Sequence, residues 1–304
     1  MSAAPIRAEV AVVGAGPVGL TAALALARAG VSVAVLEAEQ ELSTEWRAST
    51  FHPPTIEIAR HLGVVDAMLQ AGIVAPRYQV RDRRHGLIAE FDLSLLADET
   101  DYPFRLQLEQ YKYSQIVRDA LAAHHPDAQL RFGCRVTGLQ IADDHVVLET
   151  ADGPVAEASW VLGADGARST VRKILGCPFE GLTYEHRYLV LSIDYPIETL
   201  MPGICDVNYI SDPVEHLLVL RVPDVWRVVV AVPPGVPGDE AVSDEYVSER
   251  LRGLFTELGA VQAVEQRIAA LTGSALDCLS AARVAEPAAT RLAELAVSAT
   301  RRRR

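Results

Sequence analysis

The sequence predicts an α/β chain that opens with strand, glycine turn, helix and strand, and later builds an antiparallel sheet. Three observations predict it. The stretch "AEVAVVGAGPVGLTAALALARAGVSVAVLEA" sets G-x-G-x-x-G between two apolar, β-branched runs. A second apolar run enters Ala164-Asp165-Gly166 in "WVLGADGARSTVRKILGCPFEG". The runs "YLVLSIDYP", "VNYISD", "HLLVLRV" and "WRVVVAVPP" are short, rich in β-formers and broken by Pro, Asp and Asn, the pattern of an antiparallel sheet.

The first unit is Rossmann-like, and each of its parts has a reason. Glu9 to Val13 reads as a buried strand, Val18 to Ala29 as an Ala/Leu-rich helix, Gly30 as its C-terminal stop and Val31 to Leu36 as the next strand. Gly14 permits the turn, Gly16 lets backbone N–H groups approach a pyrophosphate, and Gly19 lets helix and strand pack closely. Pro17 and Val18 start the helix whose N-terminus faces the phosphates, so they belong to the same cofactor-binding turn. Glu37 stands 18 positions beyond Gly19 at the end of the second strand. A carboxylate there accepts hydrogen bonds from a ribose and repels a 2′-phosphate, so this motif takes FAD or NAD rather than NADP. It does not choose between the two.

Composition narrows the classes. Half of the 304 residues are hydrophobic, enough for a large core and for one large domain or two ordinary ones. A net charge of -12 argues against nucleic acid as a partner. The nearly uncharged run from Val10 to Leu36 is broken by glycines, Pro17 and Arg28, so no stable membrane insertion is expected. Cys134, Cys177, Cys205 and Cys278 form no C-x-x-C pair, which leaves no metal site and no disulfide framework and fits the cytoplasm.

Three stretches resemble the flavin-dependent aromatic hydroxylases, the family of para-hydroxybenzoate, phenol and hydroxyphenylpropionate hydroxylases, over about Arg7 to Trp226. In "EWRASTFHPPTIEIARHLGV", Arg47 matches the family's arginine over the flavin ribityl and pyrophosphate, a role suited to a planar guanidinium. In "FRLQLEQYKYSQIVRDAL", a strand turning into an amphipathic helix, Gln110 matches the family's glutamine that bonds the flavin side chain. Asp165 and Gly166 match its Asp-Gly fingerprint, near the flavin and the path of the nicotinamide nucleotide, and Arg168 and Arg172 form a positive pair beside it.

The resemblance implies a para-hydroxybenzoate hydroxylase-like fold. Residues 1–75 would carry the FAD-binding βαβ unit and following helices, 76–105 a first substrate-domain segment, 106–180 the return to the FAD-binding domain, 181–256 the substrate-domain sheet and 257–304 an atypical C-terminal segment. Tyr188, Tyr209 and Trp226 fall in that sheet, where an aromatic is more often core than pocket. The family's later Gly-Asp-Ala-Ala-His segment is missing, so the C-terminal part reads as incomplete. Written with G at third codon positions, Val297 to Arg302 shifts to Val-Gly-Asp-Ala-Ala one frame over, which suggests a frameshift and makes the closing arginines an accident of reading frame.

The function implied is an FAD-dependent monooxygenase that uses NADH or NADPH and molecular oxygen to hydroxylate a small phenolic or related aromatic substrate through a flavin C4a-hydroperoxide. A truncated, inactive flavoprotein fragment and an NAD-dependent dehydrogenase are the alternatives. No catalytic acid or base is identified; His52, His186 and His216 are candidates by type alone, and the oligomeric state is unread.

Overall fold

The computed structural model describes residues 4–83, 85–184, 187–211 and 216–257. His186, Cys278, the 258–304 segment and its shifted-frame motif therefore lie outside the described residues. The backbone divides into two compact units. One comprises Met1–Tyr78, Glu90–Glu185 and Leu220–Arg227; the other comprises Gln79–Ala89, His186–Val219 and the chain from Val228 onward.

In chain order the first unit opens with β1 (Ile6–Val13), α1 (Pro17–Arg28) and β2 (Val33–Leu36). It continues through β3 (Thr50–Phe51), α2 (Pro53–Leu62), α3 (Val65–Ala71) and β4 (Ile73–Ala75). Next come β5 (Arg77–Asp82), β6 (Gly86–Asp92), β7 (Arg105–Gln107), α4 (Gln110–His124), β8 (Gln129–Arg131), β9 (Gly138–Ile141), β10 (Val146–Thr150), β11 (Gly153–Gly163) and α5 (Thr170–Ile174). The remaining strands are β12 (Arg187–Ile193), β13 (Val207–Ser211), β14 (His216–Arg221) and β15 (Trp226–Val232), followed by α6 (Gly238–Ala241) and α7 (Asp244–Glu257).

A six-stranded sheet in the order β8-β2-β1-β11-β10-β9 organises the first unit. Its β8, β2, β1 and β11 run parallel, while β10 pairs antiparallel with β11 and β9 antiparallel with β10. Both faces of the parallel part are covered, which is why these strands read as continuous apolar runs rather than alternating ones. Val12, Val33 and Val35 point into a core shared with Leu20 and Leu24 of α1, Ile56 of α2, Met68 of α3 and Val117 of α4. Ala11, Val13, Ala34 and Leu36 join Leu148 and Val171 on the other face. Fully burying a leucine such as Leu20 or Leu24 stabilises the fold by about 2–3 kcal/mol.

The strand β1 starts three residues earlier than its apolar run suggests. Its first half alternates buried and exposed positions, and Arg7 there pairs with Glu157 of β11 at 3.0 Å. At the far end of α1 the cap is Ala29, with Gly30 beyond it in the left-handed region (φ 81°). The Val31 N–H returns to the Leu26 carbonyl, so β2 begins only at Val33.

A small sheet in the order β3-β7-β4 brings the 45–49 loop beside the start of α4. The other six-stranded sheet has the order β12-β15-β14-β13-β5-β6. It is mixed rather than wholly antiparallel, because β13 runs parallel to β5, a strand from a distant part of the chain. Trp226 is core (5% exposed), whereas Tyr188 and Tyr209 remain at 60% and 41%. Beside α5, Ile141, Trp160 and Leu175 also present large apolar side chains to solvent. No described helix is long and apolar enough to cross a membrane. Among the described residues no disulfide joins Cys134, Cys177 and Cys205, and no cluster could hold a metal ion.

Candidate functional site: a groove at the first glycine turn

The two glycine-bearing turns meet. A Cβ on Gly14 would lie 2.6 Å from the Ala164 carbonyl oxygen and 3.1 Å from the Asp165 Cα, so only glycine admits the approach. The Ala164 N–H donates to the Val13 carbonyl at 2.8 Å, because parallel pairing of β1 with β11 brings both strand ends to the same edge of the sheet. Gly19 is tighter still: its Cβ would fall 1.9 Å from the Gly14 carbonyl oxygen. At Gly16 the same construction meets nothing within 4 Å, because this position faces an open groove.

That groove gathers Gly16, Pro17, Arg47 and Gln110, together with Glu45 and Tyr111. Val18 lies next to it on α1 and is 69% exposed. Arg47 presents its guanidinium as a fork to Glu45, with Nε at 3.0 Å and Nη2 at 2.6 Å from Oε2. Both side chains are 68% exposed, and an ion pair so wet contributes little. The guanidinium is therefore available to a stronger anion. Trp46 stacks obliquely near Tyr111, with ring centroids 6.1 Å apart.

Glu37 is already at work within the protein. Its Oε2 accepts from the Ala15 N–H at 2.7 Å and its Oε1 from the Glu39 N–H at 2.9 Å, which fixes the glycine turn to the end of β2. A Glu37→Ala chain is expected to lose roughly 1 kcal/mol of stability with these bonds, which urea unfolding checks.

Asp165 is likewise engaged. It accepts from Ser169 Oγ at 2.5 Å and from the Thr170 and Val171 N–H groups at 2.6 and 3.1 Å, capping the short α5. Burial opposes its ionisation, but the hydrogen bonds from Ser169, Val171 and Thr170 outweigh that and hold the carboxyl below its usual range. Gly166 follows in the left-handed region at φ 78°. Arg168 is exposed, while Arg172 donates to the Cys177 carbonyl at 3.2 Å and lies over the Phe179 ring. His52 is the N-cap residue of α2, and burial, then the nearby Arg105, lowers its pKa and favours the neutral imidazole.

The sequence profile of the FAD binding domain family matches residues 7–272. The chain belongs to that family. Within it, the chain is 34% identical over 254 residues to para-nitrophenol 4-monooxygenase of Pseudomonas sp. strain WBC-3, covering 82% of this chain and 61% of that protein. It is 32% identical to 6-hydroxy-3-succinoylpyridine 3-monooxygenase of Pseudomonas putida strain S16, covering 83% and 64%. The crystal structure of p-nitrophenol 4-monooxygenase from Pseudomonas putida DLL-E4 superposes with a TM-score of 0.75 at 33% identity, covering 84% of this chain and 64% of that one. This member of the FAD binding domain family thus spans a little under two thirds of the length of those relatives.

One cluster beside the groove carried no motif. Glu109 is 1% exposed and Arg227 4%. Lys112 Nζ reaches Glu109 Oε1 at 3.2 Å and Asp224 Oδ2 at 2.7 Å. Burial works against the charge of Lys112, yet these two carboxylates raise its pKa overall. The only trace in the sequence is a charged residue inside the otherwise apolar run "WRVVVAV".

Proposed function

We propose that the chain binds FAD along the groove at the first glycine turn and is an FAD-dependent monooxygenase that uses NADH or NADPH and molecular oxygen on a small phenolic or related aromatic substrate. The observation that carries this reading is the meeting of the Gly14 turn with the Asp165 turn beside a groove that holds Arg47 and Gln110.

The residues suit the cofactor. The open space at Gly16 admits a pyrophosphate against backbone N–H groups at the start of α1. Arg47 offers the pyrophosphate a planar fork in exchange for the solvated Glu45, and the Gln110 amide suits a ribityl hydroxyl. Glu37, at the tip of β2, suits the adenosine ribose, and Gly166 leaves the backbone beyond Asp165 open. When bound, FAD supplies the redox chemistry, accepting a hydride and activating oxygen; the protein's share is to hold it and keep water away. The aromatic substrate class rests on the names of the two monooxygenases that resemble the chain and on the solved p-nitrophenol enzyme.

A second reading, a flavin-binding piece without turnover, draws on the chain's length relative to those proteins. The purified chain distinguishes them. A yellow flavin spectrum with NAD(P)H oxidation stimulated by phenols, 4-nitrophenol included, supports the monooxygenase. Colour without stimulated oxidation supports the fragment, and no flavin binding refutes both.

A further inference from the structure

We propose that Arg227 is the positioning residue for the cofactor arginine, an assignment that rests on the FAD reading above. Four successive backbone carbonyls around Arg47 are held. Arg227 Nη2 donates to the Trp46 carbonyl at 3.2 Å and Nη1 donates to the Arg47 carbonyl. The Gln110 N–H takes the Ala48 carbonyl at 3.0 Å, and the Leu108 N–H takes that of Ser49 at 2.9 Å. One guanidinium and the entry to α4 therefore set the backbone that carries Arg47, and the same bonds tie it to Gln110.

The placement is costly, which argues for a use. Arg227 is 4% exposed, and its buried Nε has no hydrogen-bond partner among the described residues. Burial lowers its pKa, opposed by the nearby Glu109 carboxylate. A buried arginine with an idle donor is a poor choice for stability alone. Its fork geometry, by contrast, is what two neighbouring carbonyls require. Lysine, with a compact ammonium, would keep the charge near Glu109 but does not reproduce the planar fork.

The test is a double-mutant cycle read as the FAD dissociation constant, from flavin fluorescence, with unfolding followed in parallel. Arg227→Lys and Arg227→Met are each made in the parent and in Arg47→Ala. If Arg227 acts through Arg47, both substitutions weaken FAD binding about tenfold in the parent, equivalent to about 1.4 kcal/mol, and less than twofold in the Arg47→Ala background. Equal losses in both backgrounds would overturn the proposal, as would full rescue by Arg227→Lys, which would show that charge alone is needed. Arg227→Lys retains charge and a long side chain, so it keeps the test open if Arg227→Met does not fold. A parent chain that binds no FAD would instead refute the reading on which the proposal stands.

Discussion

A Gly19→Ala chain is expected to lose the packing of its first βαβ unit, with a destabilisation above about 4 kcal/mol, at the extreme of single substitutions. The new Cβ would sit 1.9 Å from the Gly14 carbonyl oxygen, which belongs to backbone and cannot rotate away. Relief requires α1 to lift from the turn. That helix buries Leu20, Ala23 and Leu24 against the core, so lifting it loosens the whole helical layer. Gly16→Ala provides the contrast. Its Cβ meets nothing and its backbone is already in an ordinary region, at φ -68°. That variant should melt like the parent yet bind FAD poorly, because the methyl stands in the groove. Thermal unfolding with flavin titration measures both; a Gly19→Ala chain that melts within about 2 °C of the parent would contradict the packing argument.

The second large effect is expected at Asp165 and depends on pH. Hydrogen bonds to Ser169, Thr170 and Val171 favour its ionised form in the fold, so its folded pKa lies below the unfolded value of about 3.9. The stabilisation is therefore fully present above that unfolded value and is lost as pH falls through the folded pKa. Asp165→Ala should cost roughly 2 kcal/mol at pH 7, because the Ser169 hydroxyl and the Thr170 and Val171 N–H groups lose their charged acceptor. Asp165→Asn should flatten the acid side of the profile, because an amide does not titrate there. Urea midpoints at pH 7 and pH 3 decide it: the same fall in Asp165→Asn as in the parent would show that this carboxylate carries none of the dependence.

How much of this was legible in the sequence depends on the range of the interaction. The turn from Gly14 to Gly19 and the acid at Glu37 were legible because strand, helix and glycine spacing are local constraints, and the structure places them in one βαβ unit. The strand bounds were less so. Arg7 and Glu9 disguise the first half of β1, which is held by pairing with a strand some 150 residues away. The hydrogen bonds that Asp165 and Arg227 make within the protein were not legible. A carboxylate that caps its own helix has the same spelling as one left open for a ribose. An arginine that grips carbonyls 180 positions earlier announces only that a charge interrupts an apolar strand. The parallel junction of β13 with β5 was hidden for the same reason, since neither strand's composition names its neighbour.

The three tryptophans turn the chain into its own optical instrument. Trp226 is enclosed, Trp160 stands 72% open to water, and Trp46 adjoins the proposed cofactor arginine at 41% exposure. Their emission should accordingly divide into a blue, a red and an intermediate component. A yellow chromophore entering the groove would drain the light of Trp46 most strongly, so occupancy can be followed by excitation of the indoles, independently of turnover.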